Sequence, residues 1–491
     1  MRPKLQLAPL LLLLVVTPMA VPGAPGQSAP PAGATSFPKG QLIPKVDCPA
    51  APGESYALYI PTRYDPARRS PIVYALDARR RGEIPARLFL AGAEKYGYLV
   101  ASSYNSASDG PLKPTLDAMQ AMWNDTHRRF AIDDKRVYVA GFSGTARAAC
   151  YMGLALPGSL AGIVAAGAGF PPDQPPTPAT PFLYFATVGN VDFNYDEVEE
   201  LADRLAELHL PHRLAGFAGP HQWITEALAT DALAWLDLRA MRAGTRAQDP
   251  AEVEALWQQD LARAKGEEAG DPIVACRLYS AMADDYAGLR DAADLAQAGK
   301  KAAELGASKA LQAAQKEREA RRRRDRHQLA EAEKKLAAIG ENQDVLPLGR
   351  VAGDLRLAEL QARAAPEKGE SADALSARRI LAGLYAQTAI YLPQQALDRK
   401  EYRLAALYVG IAAEIRPTSP APLYSLACVH ARAGEKKKAM DELRRSADLG
   451  WGDPGQLESD PDLVSLHGEP GWGEILEQVK KRAAEGGRKD G

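Results

Sequence analysis

Ser143 stands in Gly141-Phe-Ser-Gly-Thr145, directly after the apolar run Arg136-Val-Tyr-Val-Ala and directly before an Ala-rich helical pattern. This is the arrangement of a nucleophile elbow, in which a serine sits on a strained strand-to-helix turn. Small neighbours let the turn close, and the helix N-terminus favours developing negative charge. Gly141 and Gly144 are those small neighbours. Where G-x-S-x-G has its last glycine, this chain has Thr145. If that position packs the new helix against a strand, the extra methyl and hydroxyl push the two elements apart; if it faces a roomier gap, they are harmless. A serine hydroxyl is a poor nucleophile near neutral pH, so the chemistry also requires a histidine base and a carboxylate that fixes the histidine tautomer.

Loops that follow the C-terminal ends of parallel strands open on one edge of a sheet, so the partners of Ser143 are expected just after strands. Asp192 meets this condition in Val188-Gly-Asn-Val-Asp-Phe-Asn-Tyr195, and His221 meets it in Phe217-Ala-Gly-Pro-His-Gln-Trp223. The other six of the seven histidines do not. His127 and His209 belong to helical patterns, His212 starts a strand, and His327, His430 and His467 lie in a helical second half. The order Ser143, Asp192, His221 is the order in which the nucleophile-elbow fold supplies its triad.

The elements that must position these residues can be read from periodicity. Apolar or alternating runs at Tyr56–Pro61, Pro71–Leu76, Tyr98–Tyr104, Arg136–Ala140, Gly162–Gly167, Phe182–Val188 and His212–Phe217 read as strands. Helical spacing follows at Arg87–Tyr96, Thr115–Phe130, Thr145–Leu156, Asp196–Leu208 and Trp223–Met241. Strands alternating with helices over short connections imply a mainly parallel sheet covered on both faces. After Gly244 strand signals stop, and Ala, Leu, Glu, Lys and Arg at helical spacing imply an all-helical remainder.

The three motifs together resemble the α/β-hydrolase superfamily, in particular secreted esterases similar to polyhydroxybutyrate depolymerases and feruloyl esterases. The resemblance spans about Tyr56 to Met241. It implies Ser143 as nucleophile, His221 as general base and acid, and Asp192 as orienting acid, with no cofactor and no metal. It also implies an oxyanion site made of the Gly144 N–H and a donor from the loop Asp77-Ala-Arg-Arg80, for which Ala78 is the choice although the usual glycine-rich form of that loop is absent. Phe142, Trp223 and Tyr104 of the Ser102-Ser-Tyr-Asn loop are expected to line the substrate site. The implied reaction is hydrolysis of a small-molecule or polymeric ester. Two other readings stay open: a serine peptidase on the same triad, and an inactive scaffold whose helical half recruits a protein partner.

The remaining features bound where and with what the protein acts. A net charge of −2 over 491 residues, with 25% charged residues, offers no general attraction to nucleic acid. Residues 1–24 combine Arg2 and Lys4, the apolar run from Leu10 and small residues at Ala20 and Ala24, the pattern of a signal peptide. The expectation is a secreted or periplasmic chain without a transmembrane helix in its mature form. Residues 25–52 read as a Pro/Ala/Gly-rich disordered lead-in, 53–243 as the hydrolase-like domain, 244–370 as a helical region and 371–485 as helical repeats. Leu423, Leu426, Ala427, His430, Ala439, Leu443 and Ser446 fall at offsets resembling the tetratricopeptide pattern, with Gly434 at the turn. One period earlier, Ala405, Val409 and Ala412 match a second helix that Pro417 ends. Such repeats could bind a protein partner. The run Arg321-Arg-Arg-Arg-Asp-Arg326, interleaved with Glu317, Glu319, Glu331 and Glu333, reads as a solvated, salt-bridged helix. Cys48, Cys150, Cys276 and Cys428 are too far apart for a metal or C-x-x-C motif; they allow disulfides or serve as buried apolar residues.

Overall fold

The computed structural model describes residues 37–342 and 346–486. The expected signal peptide, and the lead-in up to residue 36, lie outside the described residues. Eight strands form one sheet: β1 (Leu42–Asp47), β2 (Ser55–Tyr59), β3 (Ser70–Leu76), β4 (Leu99–Ser103), β5 (Ile132–Phe142), β6 (Gly162–Ala166), β7 (Leu183–Gly189) and β8 (His212–Phe217). Their order is β1-β2-β4-β3-β5-β6-β7-β8. The pairs β1/β2 and β2/β4 are antiparallel and all the others are parallel. The helices between strands are α1 (Glu83–Tyr96), α2 (Lys113–Arg129), α3 (Gly144–Ala155), α4 (Tyr195–Glu207) and α5 (Glu226–Arg242). This is the α/β-hydrolase-type, mainly parallel sheet implied by the sequence.

Both faces of the sheet are buried, which is why its central strands read as unbroken apolar runs. On β3, Val73 and Ala75 pack toward Phe89 of α1 and Trp235 of α5. The alternate residues Ile72, Tyr74 and Leu76 pack toward Met119 and Met122 of α2, Ala149 of α3 and Val198 of α4. The lead-in expectation is corrected at Leu42–Asp47, which forms β1 and pairs with β2 through a register shift between Ile43 and Val46. An edge strand carrying Pro44, Lys45 and a bulge loses the alternation by which strands are recognised, and these same features protect an exposed edge.

Beyond α5 the described chain is helical: α6 (Pro250–Glu267), α7 (Pro272–Asp285), α8 (Ala292–Gly306), α9 (Lys309–Asn342), α10 (Leu348–Asp354), α11 (Leu357–Ala364) and α12 (Ala372–Ala386). A π-helical turn, Gln387–Tyr391, leads into α13 (Leu392–Asp398), α14 (Tyr402–Ile415), α15 (Pro420–Arg432), α16 (Lys436–Leu449), α17 (Pro454–Ser459) and α18 (Trp472–Gly486). Asp-Pro steps start α6 and α7: the carboxylates of Asp249 and Asp271 accept the first backbone N–H groups, and proline occupies the first turn. The apolar cluster on the α1/α5 face continues across position 244 into Trp257 of α6, Tyr279 of α7 and Ala298 of α8. Around Gly434 (φ 77°), α15 and α16 form a hairpin that buries Ala427, Ala439 and Leu443. None of the described helices is long and apolar enough to cross a membrane.

The basic run does more than face solvent. Arg323 pairs with Glu319 within α9, but Arg322 reaches Asp196, Glu199 and Asp203 on α4, and Arg326 reaches Glu200. Arg318 also bonds Glu199 at 3.1 Å. Positions 318, 322 and 326 lie on one face of α9, and positions 196, 199, 200 and 203 lie on one face of α4. The two complementary stripes dock against each other. All four cysteines are free thiols, Cys48 and Cys150 being buried; burial, reinforced by Asp125, pushes the Cys48 thiol up to about 12.

Candidate active site

Strand β5 ends at Phe142, and Ser143 follows with φ 57° and ψ −127° before α3 begins at Gly144. A β-carbon at φ > 0 is sterically unfavourable, so the surrounding turn must hold this conformation in place. The Ser143 N–H donates to Ala166 O on β6 at 2.8 Å, and the Ala146 N–H donates to Ser143 O at 3.0 Å. A β-carbon on Gly141 would lie 2.5 Å from Thr145 O, and one on Gly144 would lie 2.5 Å from the Ser108 Cβ. Both glycines are therefore required by close approach.

Thr145 neither wedges the helix away nor faces a gap. It is fully buried, and its Oγ1 accepts the Phe142 N–H at 3.0 Å while lying 2.5 Å from Leu76 O and 2.9 Å from Phe142 O. The hydroxyl thus supplies an acceptor inside the turn and a donor toward the end of β3. It ties the elbow to the neighbouring strand.

Asp192 follows β7 and His221 follows β8, and the two loops are joined at several points. Asn190 donates its N–H to Phe217 O at 2.8 Å and accepts the Gly219 N–H on its side-chain oxygen at 3.1 Å. The Asn194 N–H donates to Asp192 Oδ1 at 2.8 Å, and the Asn194 side chain donates to Gly167 O at 2.8 Å. His221 Nδ1 lies 2.9 and 2.8 Å from the two Asp192 oxygens, and His221 Nε2 lies 2.9 Å from Ser143 Oγ. The Asp192 side chain is 1% exposed and that of His221 18%. The imidazole packs against the rings of Phe142 and Phe193, with centroids at 4.7 and 4.3 Å. Gly167, at φ 65°, completes the back of the site, where a β-carbon would lie 3.0 Å from both Asp192 Oδ2 and His221 Nδ1.

The loop after β3 is organised by Asp77, whose buried carboxylate accepts Arg79 N–H (2.8 Å), Arg81 N–H (3.0 Å), the Arg81 guanidinium (3.1 and 3.0 Å) and Trp223 Nε1–H (2.7 Å). Burial pushes this carboxyl up, but the bonds from Arg81, Trp223 and the backbone outweigh it and hold Asp77 below the usual aspartate range. Ala78 sits in this loop, 8% exposed, with its carbonyl accepting the Ser108 N–H at 3.0 Å.

The structure brings Ser143, His221 and Asp192 together, with Gly144 beside the serine. Phe142 and Trp223 are buried as supports, one against the imidazole and the other against Asp77. Tyr104 is placed elsewhere: its N–H continues the β2 ladder through Ser55 O (3.0 Å), and its hydroxyl donates to Pro44 O (2.7 Å) on β1. Asn194 and Gly167 escape a reading of the sequence by catalytic residue type, because neither has a reactive group. The glycine that ends Gly162-Ile-Val-Ala-Ala-Gly167 was their one visible signal.

A cleft of about 360 Å³ opens beside Ser143 and Gly144. Arg147, Phe193 and Asn194 line it from the sheet side, whereas Leu329 of α9 and Gln387 and Tyr391 of the π-helical turn line it from the helical region. Arg379 of α12 donates to Asn190 O at 2.9 Å and stacks over Tyr195 at 4.6 Å, so the helical region also touches the segment that carries Asp192. Among the described residues one group of metal-ligating types converges, Cys428, Asp460 and Asp462. Asp460 there accepts the Tyr424 hydroxyl at 2.9 Å, and no histidine joins the group.

The sheet order, with Ser143, Asp192 and His221 on loops after β5, β7 and β8, is that of an α/β-hydrolase-type fold. No family model matches the chain, and no curated protein sequence does. Among solved structures, S-formylglutathione hydrolase (FrmB) from Staphylococcus aureus is similar with 11% identity and a TM-score of 0.32, covering 40% of this chain and 97% of that one. Est1E from Butyrivibrio proteoclasticus has 12% identity and a TM-score of 0.30, covering 39% of this chain and 95% of that one. A feruloyl esterase module from Clostridium thermocellum has 11% identity and a TM-score of 0.31, covering 39% and 86%.

Proposed function

We propose that the protein is a serine hydrolase that cleaves carboxylic esters through an acyl-enzyme on Ser143. The observation that carries this reading is the continuous relay from Asp192 through His221 to Ser143, with 2.8 Å and 2.9 Å contacts at its two junctions. Ser143 Oγ attacks the ester carbonyl carbon while its proton passes to His221 Nε2, and Asp192 steadies the resulting imidazolium. The tetrahedral oxyanion is received by the Gly144 N–H and by the Ala78 N–H, one such donor being typically worth about 100- to 1,000-fold in rate. The carbon–alkoxy bond breaks, and His221 returns the proton to the departing alcohol. Water then attacks the acyl carbon, gives its proton to His221, and the bond to Ser143 Oγ breaks as that proton returns to the serine. The pattern in residues 1–24 supports export of the enzyme, and the α15/α16 hairpin is a surface on which a protein partner could be recruited.

The test is covalent labelling by a fluorophosphonate. Ser143 Oγ forms the bond to phosphorus, fluoride leaves, and the serine proton goes to His221. One label per chain is expected on the folded native protein and none on Ser143→Ala. A folded native protein that takes no label, with no turnover of simple esters, would overturn the reading and favour a scaffold.

A further inference from the structure

The active-site cleft has two walls from two parts of the chain. The helical wall is built by one face of α9 and by the turn after α12. Positions 318, 322, 326, 329 and 333 follow one another at spacings of four, four, three and four, and so share a face of α9. The first part of that face docks on α4 through arginines, and the last part, Leu329 and Glu333, lines the cleft beside Ser143. α12 comes close to α9 at Gly383, where a β-carbon would lie 3.3 Å from Leu329 Cδ1 and 3.8 Å from Phe193 Cβ. Directly after it the helix widens into the π-helical turn Gln387–Tyr391, whose end residues both line the cleft. Such a turn inserts a residue into the helix and re-aims side chains, and it is found frequently at functional sites. Thr388, fully buried, ties the turn back to Leu384 O at 2.7 Å.

This wall is anchored at several points. Arg322 and Arg326 hold α9 to α4, Arg379 holds α12 to Asn190 O, and the Gln387 side chain donates to Glu333 Oε1 at 3.4 Å. A wall fastened on both sides cannot yield easily to a bulky ligand. The cleft it borders, about 360 Å³, lies near the lower end of the range of roughly 300–1,000 Å³ typical of small-molecule sites.

We infer that the helical region is the specificity wall of the active site, with Tyr391 and Gln387 as its size-determining residues, and that the substrate is an ester with a short acyl chain, not a polymer or a long-chain ester. The inference rests on the hydrolase reading of Ser143 and narrows it.

The experiment uses the full chain and two fluorophosphonates, one with a methyl and one with a dodecyl group on phosphorus, each labelling rate being corrected for the probe's spontaneous hydrolysis. The methyl probe should label Ser143 at least about tenfold faster than the dodecyl probe, the lower end of what a pocket gains from a misfit of one methylene. Tyr391→Ala should shrink that ratio severalfold, and Tyr391→Phe should preserve it. Gln387→Ala, which leaves the aromatic ring in place, is the second opening variant should Tyr391→Ala fail to fold. Equal labelling of the native chain by both probes would overturn the wall while leaving the hydrolase reading intact. A ratio unmoved by both alanine variants would do the same. No labelling by either probe would overturn the hydrolase reading, and this inference with it.

Discussion

Thr145 shows how a single hydroxyl can take the place of a sequence rule. The pattern asks for glycine there to avoid a clash, whereas the fold uses threonine to satisfy the Phe142 N–H and to reach Leu76 O. Removing the hydroxyl while keeping the shape leaves a buried donor and acceptor unmatched, at about 1–3 kcal/mol. Thr145→Val should therefore lose about that much stability in urea titration and label more slowly at Ser143, while Thr145→Ser should retain both; a Thr145→Val chain as stable and as reactive as the native one would sink this account. Asp77 gives a second test. Because its folded carboxyl sits below the ordinary value of about 3.9, its contribution is present above that value and is lost as pH falls through the lower, folded one. Asp77→Asn should be less stable than the native chain by about 2–3 kcal/mol at pH 7, and the gap should narrow below about pH 4. A gap that stays constant as pH falls well below about 4 would remove Asp77 as its cause. The grouping of Ser143, Asp192 and His221 was legible because each stands in a loop after a strand, whereas Asn194 and Gly167 contribute through an amide and an absent side chain.

Between elements, what matters most is the docking of α9 on α4. Glu199, 5% exposed, accepts Arg277 and Arg318 and faces Arg322. Its burial raises the carboxyl, but the three arginines prevail and hold it below the usual glutamate range. Removing one charge from such a buried cluster leaves its partners uncompensated, a loss of about 3–5 kcal/mol. Glu199→Gln should lower the thermal midpoint and, by loosening the wall, bring the labelling rates of the methyl and dodecyl probes closer together; an unchanged midpoint in calorimetry would count against a structural role for the cluster. The parallel sheet was readable from periodicity because its strands are buried on both faces and joined by short connections. β1 was hidden by Pro44 and Lys45. The arginine run was misread because a helix paired with its own acids and a helix paired with a distant stripe have the same composition; only the matching spacing on α4 distinguishes them.

Across the whole molecule, the division at position 244 marks a change of secondary structure, not a break in packing. The chain from Phe37 onward forms one compact unit, and the cluster around Trp235 continues into Trp257 and Tyr279. Arg213 on the edge strand β8 is bonded to Asp260 and Asp285 of the helical region at 2.6 and 2.8 Å. A chain ending at Gly244 should therefore be aggregation-prone and lack the outer wall, and the full chain should unfold in one calorimetric transition. A soluble truncation that keeps the native preference between the two probes would contradict this. The free cysteines have a consequence of their own. With all four thiols free in the fold, refolding yield should be the same with and without a reducing agent, and a cytoplasmic expression host should suffice to produce the folded protein.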